Sequence, residues 1–183
     1  MSTVQAPRRT RADVGAMTLA VLRIATGLLF VWAFFDKAFG LGYATPEKNA
    51  WFAGGSPTKG FLGNVHVGPF ESTFHAWAGA WWADTLFMLG LLAVGVALVL
   101  GIGLRVAAGA GTLMMLLMWA AEWPPAQHNS LGEATRSTNP LIDYHIIYAL
   151  VLIVVATAAG GAVWSLAHWW AGLPFVRSNP WLK

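Results

Sequence analysis

The chain has 183 residues, of which 57% are hydrophobic and 10% charged, with 11 Trp, no Cys and a formal net charge of +3. A soluble domain carries about 25% charged residues, so this composition lacks the polar cover of a water-soluble globule and reads as an integral membrane protein. The lack of Cys excludes a disulfide framework, a thiolate metal centre, an iron–sulfur cluster and a thiol relay.

Four apolar stretches approach the roughly 20 residues that a helix needs to cross about 30 Å of hydrocarbon. The first spans residues 17–39, is interrupted by Arg23 and ends in Asp36-Lys37. Arg8, Arg9 and Arg11 precede it, yet its length and the lack of a small-residue cleavage site predict a retained helix rather than a signal peptide. The second spans 81–101. The third, 106–121, is closed by Glu122. The fourth, 141–163, follows Asn139-Pro140, which reads as an N-cap and a first-turn proline. None of the four alternates with period two, so strands are excluded. The expected fold is an all-α, four-transmembrane-helix antiparallel bundle, with residues 1–183 forming a single membrane domain.

The connections differ in length. Ile102–Arg105 is only a turn, whereas residues 40–80 and 123–140 are long. The first long loop, between helices one and two, is rich in Trp, Phe and Gly and is expected to be partly structured over the outer mouth of the bundle. Tryptophans gather at the outer ends of helices two and three (Trp77, Trp81, Trp82, Trp119, Trp123) and after helix four (Trp164, Trp169, Trp170, Trp181). Such rings favour headgroup depth, and residues 164–183 read as an interfacial segment. The positive-inside rule places Arg8, Arg9, Arg11, Arg105, Arg177 and Lys183 on the cytoplasmic side, with both termini inside a cell membrane. No basic run interleaved with aromatics points to nucleic acid.

A charge at bilayer depth costs about 2.5–3.5 kcal/mol on insertion scales and needs a partner, water or a task. Asp36, Lys37, Asp84, Glu122, Asp143 and His145 all fall at the outer boundary, which points to a polar pocket there. Each also has a plainer reading, as a helix-end charge or an interfacial histidine meeting headgroups and water. Arg23 alone lies near the inner side, within snorkelling reach of water. On helix one, Arg23, Gly27, Phe30, Phe34 and Lys37 share a face. On helix three, Gly111, Met115, Met118 and Glu122 share another, which reads as packing. On a regular helix Asp143 and His145 lie about 200° apart, so they would not face one point.

The usual motifs are absent. Gly101–Gly111 follows a membrane helix rather than a strand and lacks the dinucleotide-loop spacing. Of five histidines only His145 falls inside a predicted helix, with no facing partner for haem, and no metal is expected. The helices show no inverted repeat of the kind transporters use.

Three segments carry a family resemblance. LRIATGLLFVWAFFDKAFG (Leu22–Gly40) resembles the opening helix of the DoxX/DoxD family, with its Arg, Gly and Lys at Arg23, Gly27 and Lys37. GGSPTKGFL (Gly54–Leu62) and NPLIDYHIIYALVL (Asn139–Leu152) are similar to the longer DoxD-type members. The resemblance implies a four-helix membrane protein. It also implies kinship with the large subunit of thiosulfate:quinone oxidoreductase, which works beside a small DoxA-like subunit.

The expected function is therefore the membrane subunit of a quinone-linked oxidoreductase, with membrane quinone as substrate and another protein as partner. Asp143, His145 and Glu122 are the candidate catalytic groups, with the carboxylates relaying protons. Trp119 and Tyr148 are candidate donors to quinone, while Arg23 and Lys37 orient the first helix at the binding site. Lys37, Lys59 or Arg136 would attract an oxyanion. The rival expectation is a non-catalytic membrane scaffold or accessory subunit, which needs only interfacial aromatics, small-residue helix faces and a folded outer loop.

Overall fold

The computed structural model describes residues 10–158 and 163–182. Arg8, Arg9 and Lys183 of the orientation argument, and residues 159–162 of the fourth apolar stretch, lie outside the described residues. Eight α-helices are described: α1 (Arg11–Phe39), α2 (Pro57–Leu62), α3 (Glu71–Trp77), α4 (Trp81–Leu100), α5 (Leu104–Glu122), α6 (Tyr144–Thr157), α7 (Ala167–Gly172) and α8 (Pro174–Ser178). Among the described residues no strand forms, and one isolated antiparallel bridge joins His128 to Ala134.

α1, α4 and α5 are long and apolar enough to cross a membrane. α1 begins two turns earlier than its hydrophobic run. Thr10 and Asp13 form a reciprocal capping box, in which the Thr10 side chain takes the Asp13 amide and the Asp13 carboxylate takes the Thr10 amide. α6 is a correction to the fourth expected span. It has 14 residues and rises about 21 Å, less than the hydrocarbon thickness. Its N-cap is Asp143, not Asn139: the Asp143 side chain accepts the Ile146 amide. Asn139 Oδ1 instead accepts the amides of Leu141 and Ile142, folding residues 139–142 into a turn.

α1 packs on α4, and α5 packs on both α4 and α6. Phe30, Phe34, Met88, Leu91, Met115 and Leu152 contribute to one buried core between them. The expected faces are present: Arg23, Gly27, Phe30 and Phe34 of α1 are all buried, and so are Gly111 and Met115 of α5. The opposite faces leave Leu28, Leu29, Leu86, Leu89, Leu113, Leu116, Ile147 and Leu150 exposed. A soluble bundle would place polar residues there; lipid accepts these.

The α1–α4 crossing depends on a glycine pair. A Cβ on Gly27 would come 2.9 Å from Gly95 O, and one on Gly95 would come 2.9 Å from Gly27 O. The backbones are therefore in contact, as small residues permit between membrane helices. At the C-terminal end of α4, Arg23 is 1% exposed. Its guanidinium donates to the carbonyls of Leu98, Val99, Val163 and Trp164. The expected snorkelling of Arg23 does not occur, because carbonyls at the end of α4 and at residues 163–164 accept its hydrogen bonds inside the protein. The segment after residue 163 forms α7 and α8, with Trp170 Nε1 donating to Leu182 O at 2.7 Å.

Gly27→Ala should lower the melting temperature of the detergent-solubilised protein, with overpacking costing about 1–3 kcal/mol. Gly109→Ala, where an added methyl meets nothing within 4 Å, should leave it unchanged or slightly raised. Equal losses in both variants would contradict the crossing described.

Candidate functional site

The end of α5 and the start of α6 form a polar cluster. Asp143 precedes the helix with extended backbone (φ −114°, ψ −172°), so helical spacing does not govern its direction. Its Oδ1 accepts the Ile146 amide at 3.1 Å, and its Oδ2 lies 2.8 Å from His145 Nδ1. The 200° separation of a regular helix does not apply to Asp143 and His145: one is the cap, the other the second residue of the helix. Glu122 completes the group. Its Oε1 accepts the Tyr144 hydroxyl at 2.7 Å, and its Oε2 lies 3.9 Å from His145 Nδ1. The rings of Tyr144 and His145 overlap with centroids 4.0 Å apart.

The hydrogen bonds fix the tautomer of His145. An ionised carboxylate only accepts, so Nδ1 carries a proton toward Asp143. In the neutral ring Nε2 then holds a lone pair. His145 is 1% exposed, and Nε2 has no hydrogen-bond partner among the described residues. A buried polar atom left unpaired costs about 1–3 kcal/mol, which makes it a position for a polar ligand atom, a donor to the neutral ring or an acceptor from the imidazolium. His145 lies on the buried face of α6 with Ala149 and Leu152, so its surroundings toward the bundle are apolar.

Glu122, Asp143 and Tyr144 also line a cavity of about 540 Å³, together with Asn64, His66 and Arg136. The cavity is lined by residues between 60 and 67, from α2 and the segment after it, and by residues 134–139 of the second long loop. Trp123 helps to shape this end. It adopts a left-handed conformation (φ 41°) that closes α5, and its ring packs against Trp119 and Phe70.

The other expected site residues lie outside this cluster. Arg23 sits at the opposite end of α5, about 28 Å away by helical rise, committed to carbonyls. Trp119 Nε1 donates to Leu141 O at 3.1 Å, which pins the turn before α6. Tyr148 is partly buried against the core, with its ring edge-on to Tyr144 at 6.2 Å. Lys37 is partly buried in the last turn of α1. The expected convergence of six outer groups is met by Glu122, Asp143 and His145. Asp36 and Asp84 are spent on the loops instead. Asp36 is 2% exposed and takes the amides of Tyr43 and Ala44. Asp84 Oδ1 accepts the Ser56 hydroxyl at 3.0 Å, the Thr58 amide at 2.8 Å and the Thr58 hydroxyl at 2.7 Å. Thr58 Oγ1 in turn accepts the Gly79 amide. α2 is thus latched to the first turn of α4.

Two residue groups escaped the sequence reading. Tyr144 joins Glu122 because the cap at Asp143 places it in the first turn; hydrophobic periodicity carries no signal for that. His66, Glu71 and His75 converge in the first loop, with one donor atom from each within 4.8 Å of the others. Their spacing, His-x4-Glu-x3-His with the last two on one helical turn, is the signal that could have found them. His75 lies in α3 and His168 in α7, which corrects the expectation that only His145 is helical.

These features define a helical multi-pass type of protein with lipid-facing apolar surfaces and a polar cluster at one end of the bundle. The DoxX family model matches residues 18–123, over half of the chain, and the chain belongs to this family of membrane proteins. No curated protein and no solved structure matches it. The matched region contains Glu122 and the His66 group but stops before Asp143, Tyr144 and His145.

Asp84→Ala would leave the buried amide and hydroxyl of Thr58 without their acceptor, at about 1–3 kcal/mol. Hydrogen exchange at the Thr58 amide should accelerate, and proteolysis near residues 56–60 should increase. Exchange at wild-type rates would contradict the latch.

Proposed function

We propose that this chain is the membrane subunit of a quinone-linked oxidoreductase of DoxD type, oxidising thiosulfate or a related small reductant beside a smaller DoxA-like subunit. In this reading α1, α4, α5 and α6 form an antiparallel four-helix domain in the cell membrane, with both termini cytoplasmic and the cavity outside. The observation that carries the proposal is the unpaired, buried Nε2 of His145, whose Nδ1 is held by Asp143, a residue that lines the polar cavity. A quinone ring entering from the bilayer needs a pairing of an apolar slot with a proton-handling group.

Quinone reduction consumes two electrons and two protons. Two thiosulfates coupling to tetrathionate release two electrons, so the overall exchange is two thiosulfates, one quinone and two protons giving one tetrathionate and one quinol. Protonated at Nε2, His145 donates to a quinone oxygen, and Asp143 holds the imidazolium and its orientation. Glu122 and Tyr144 connect the dyad to water in the cavity. Arg136, on the cavity wall, supplies positive charge for the oxyanion. Tyr148 supports the Tyr144 ring, and Lys37 adds a cation at the outer end of α1.

A second reading, a membrane scaffold for another complex, draws on the exposed outer aromatics Tyr43 (78%) and Trp81 (79%). The two readings separate experimentally. Purified with its co-isolating subunit and supplied with thiosulfate and a short-chain quinone, the wild-type protein should form quinol. Asp143→Asn and His145→Gln should each reduce the rate by about 10²-fold or more while complex formation persists. No quinol from the wild-type complex, or full rates in both variants, would overturn the enzymatic reading.

A further inference from the structure

The first outer loop holds a side-chain group that the quinone reading does not use. His66 lies in the segment between α2 and α3, and Glu71 and His75 lie one turn apart on α3. His66 Nδ1 is 3.7 Å from Glu71 Oε1, and donor atoms of all three residues fall within 4.8 Å of one another. Around a tetrahedral zinc ion, with bonds of about 2.0–2.2 Å, neighbouring ligands are about 3.4 Å apart. Small side-chain movements therefore suffice to close the set on an ion.

The surroundings resemble the outer shell of a metal site. His75 Nε2 donates to the Val65 carbonyl at 2.7 Å, which orients the ring and leaves the Nδ1 lone pair available. Glu71 Oε1 accepts the Ser130 hydroxyl at 3.2 Å, and the Ser130 amide donates to His66 O at 2.6 Å. A carbonyl on the second ring nitrogen, as Val65 supplies to His75, is typical of metal-binding imidazoles, and the Ser130 hydroxyl holds the Glu71 carboxylate in place. The two Ser130 bonds come from the second long loop, so the set is anchored across residues 65–75 and 130.

We propose that His66, Glu71 and His75 bind a divalent transition cation of the zinc class, with a fourth position left for water or a small anion. Two imidazoles and one carboxylate are a donor set suited to such an ion. Bound there, the ion ties α3 to the segment that covers the cavity, and His66 carries its influence to the cavity wall. The site is separate from the Glu122–Asp143–His145 group, where the Asp143–His145 bond already occupies the facing atoms.

The test uses the full chain in detergent, with any affinity tag removed, titrated with Co²⁺ and competed with Zn²⁺. The expected result is one tight equivalent with the visible absorption of a four-coordinate cobalt ion, and a zinc-dependent rise in melting temperature. His66→Ala and His75→Ala should each weaken binding by at least about tenfold and abolish the rise. Ser130→Ala, which removes no ligand, should weaken it by less than either histidine variant. His145→Gln should leave it intact. Because these side chains are partly or fully exposed, the metal-free variants should melt like the wild type. No tight equivalent, binding that survives the His66→Ala/His75→Ala pair, or binding lost with His145→Gln would overturn the proposal.

Discussion

Ionised carboxylates at the ends of apolar helices have no bulk water to satisfy all their lone pairs, and each must find donors from the chain itself. This constraint organises the end of the molecule where α1 and α5 finish and α4 and α6 begin. Asp36 captures the amides that follow α1, Asp84 captures α2 through Ser56 and Thr58, and Asp143 captures the first turn of α6. Hydrogen bonds to charged acceptors are about twice as strong as neutral ones, and their partners here are backbone amides and hydroxyls of connecting segments. The loops consequently fold as extensions of the helix ends, and the cavity lies beneath them.

The other end obeys the same rule with the sign reversed. Arg23 brings its guanidinium to carbonyls at the end of α4 and in the segment that follows α6. A helix C-terminus carries partial negative charge and unfilled acceptors, so the cation is used there as a cap joining three parts of the chain. The glycine contact between α1 and α4 lies between these two polar ends. Arg23 thus belongs to the architecture, and the residues available for chemistry are those of α5, α6 and the two long loops.

The helices were legible because lipid imposes length and apolarity, and the buried faces of α1 and α5 followed from the 3.6-residue period. Asp143, His145 and Glu122 stood out because charge is scarce in this chain. Their geometry was not legible, since Asp143 acts from outside the helix, where period arguments lapse. The start of α1 was hidden in the Thr10–Asp13 capping box, which precedes the hydrophobic run. The role of Asp84 depends on Ser56 and Thr58, and no spacing rule links positions 28 and 26 residues apart. His66, Glu71 and His75 lie in a loop whose aromatic content drew the reading toward packing.

The proposed function turns on His145 Nε2, unpaired and buried, as the point at which a quinone would bind. A density map of the protein in lipid nanodiscs with a tight-binding quinone analogue tests it directly. The account predicts ring density at the outer end of the α5–α6 pair, with an oxygen about 3 Å from Nε2. A map with the analogue bound at a site remote from His145 would contradict it.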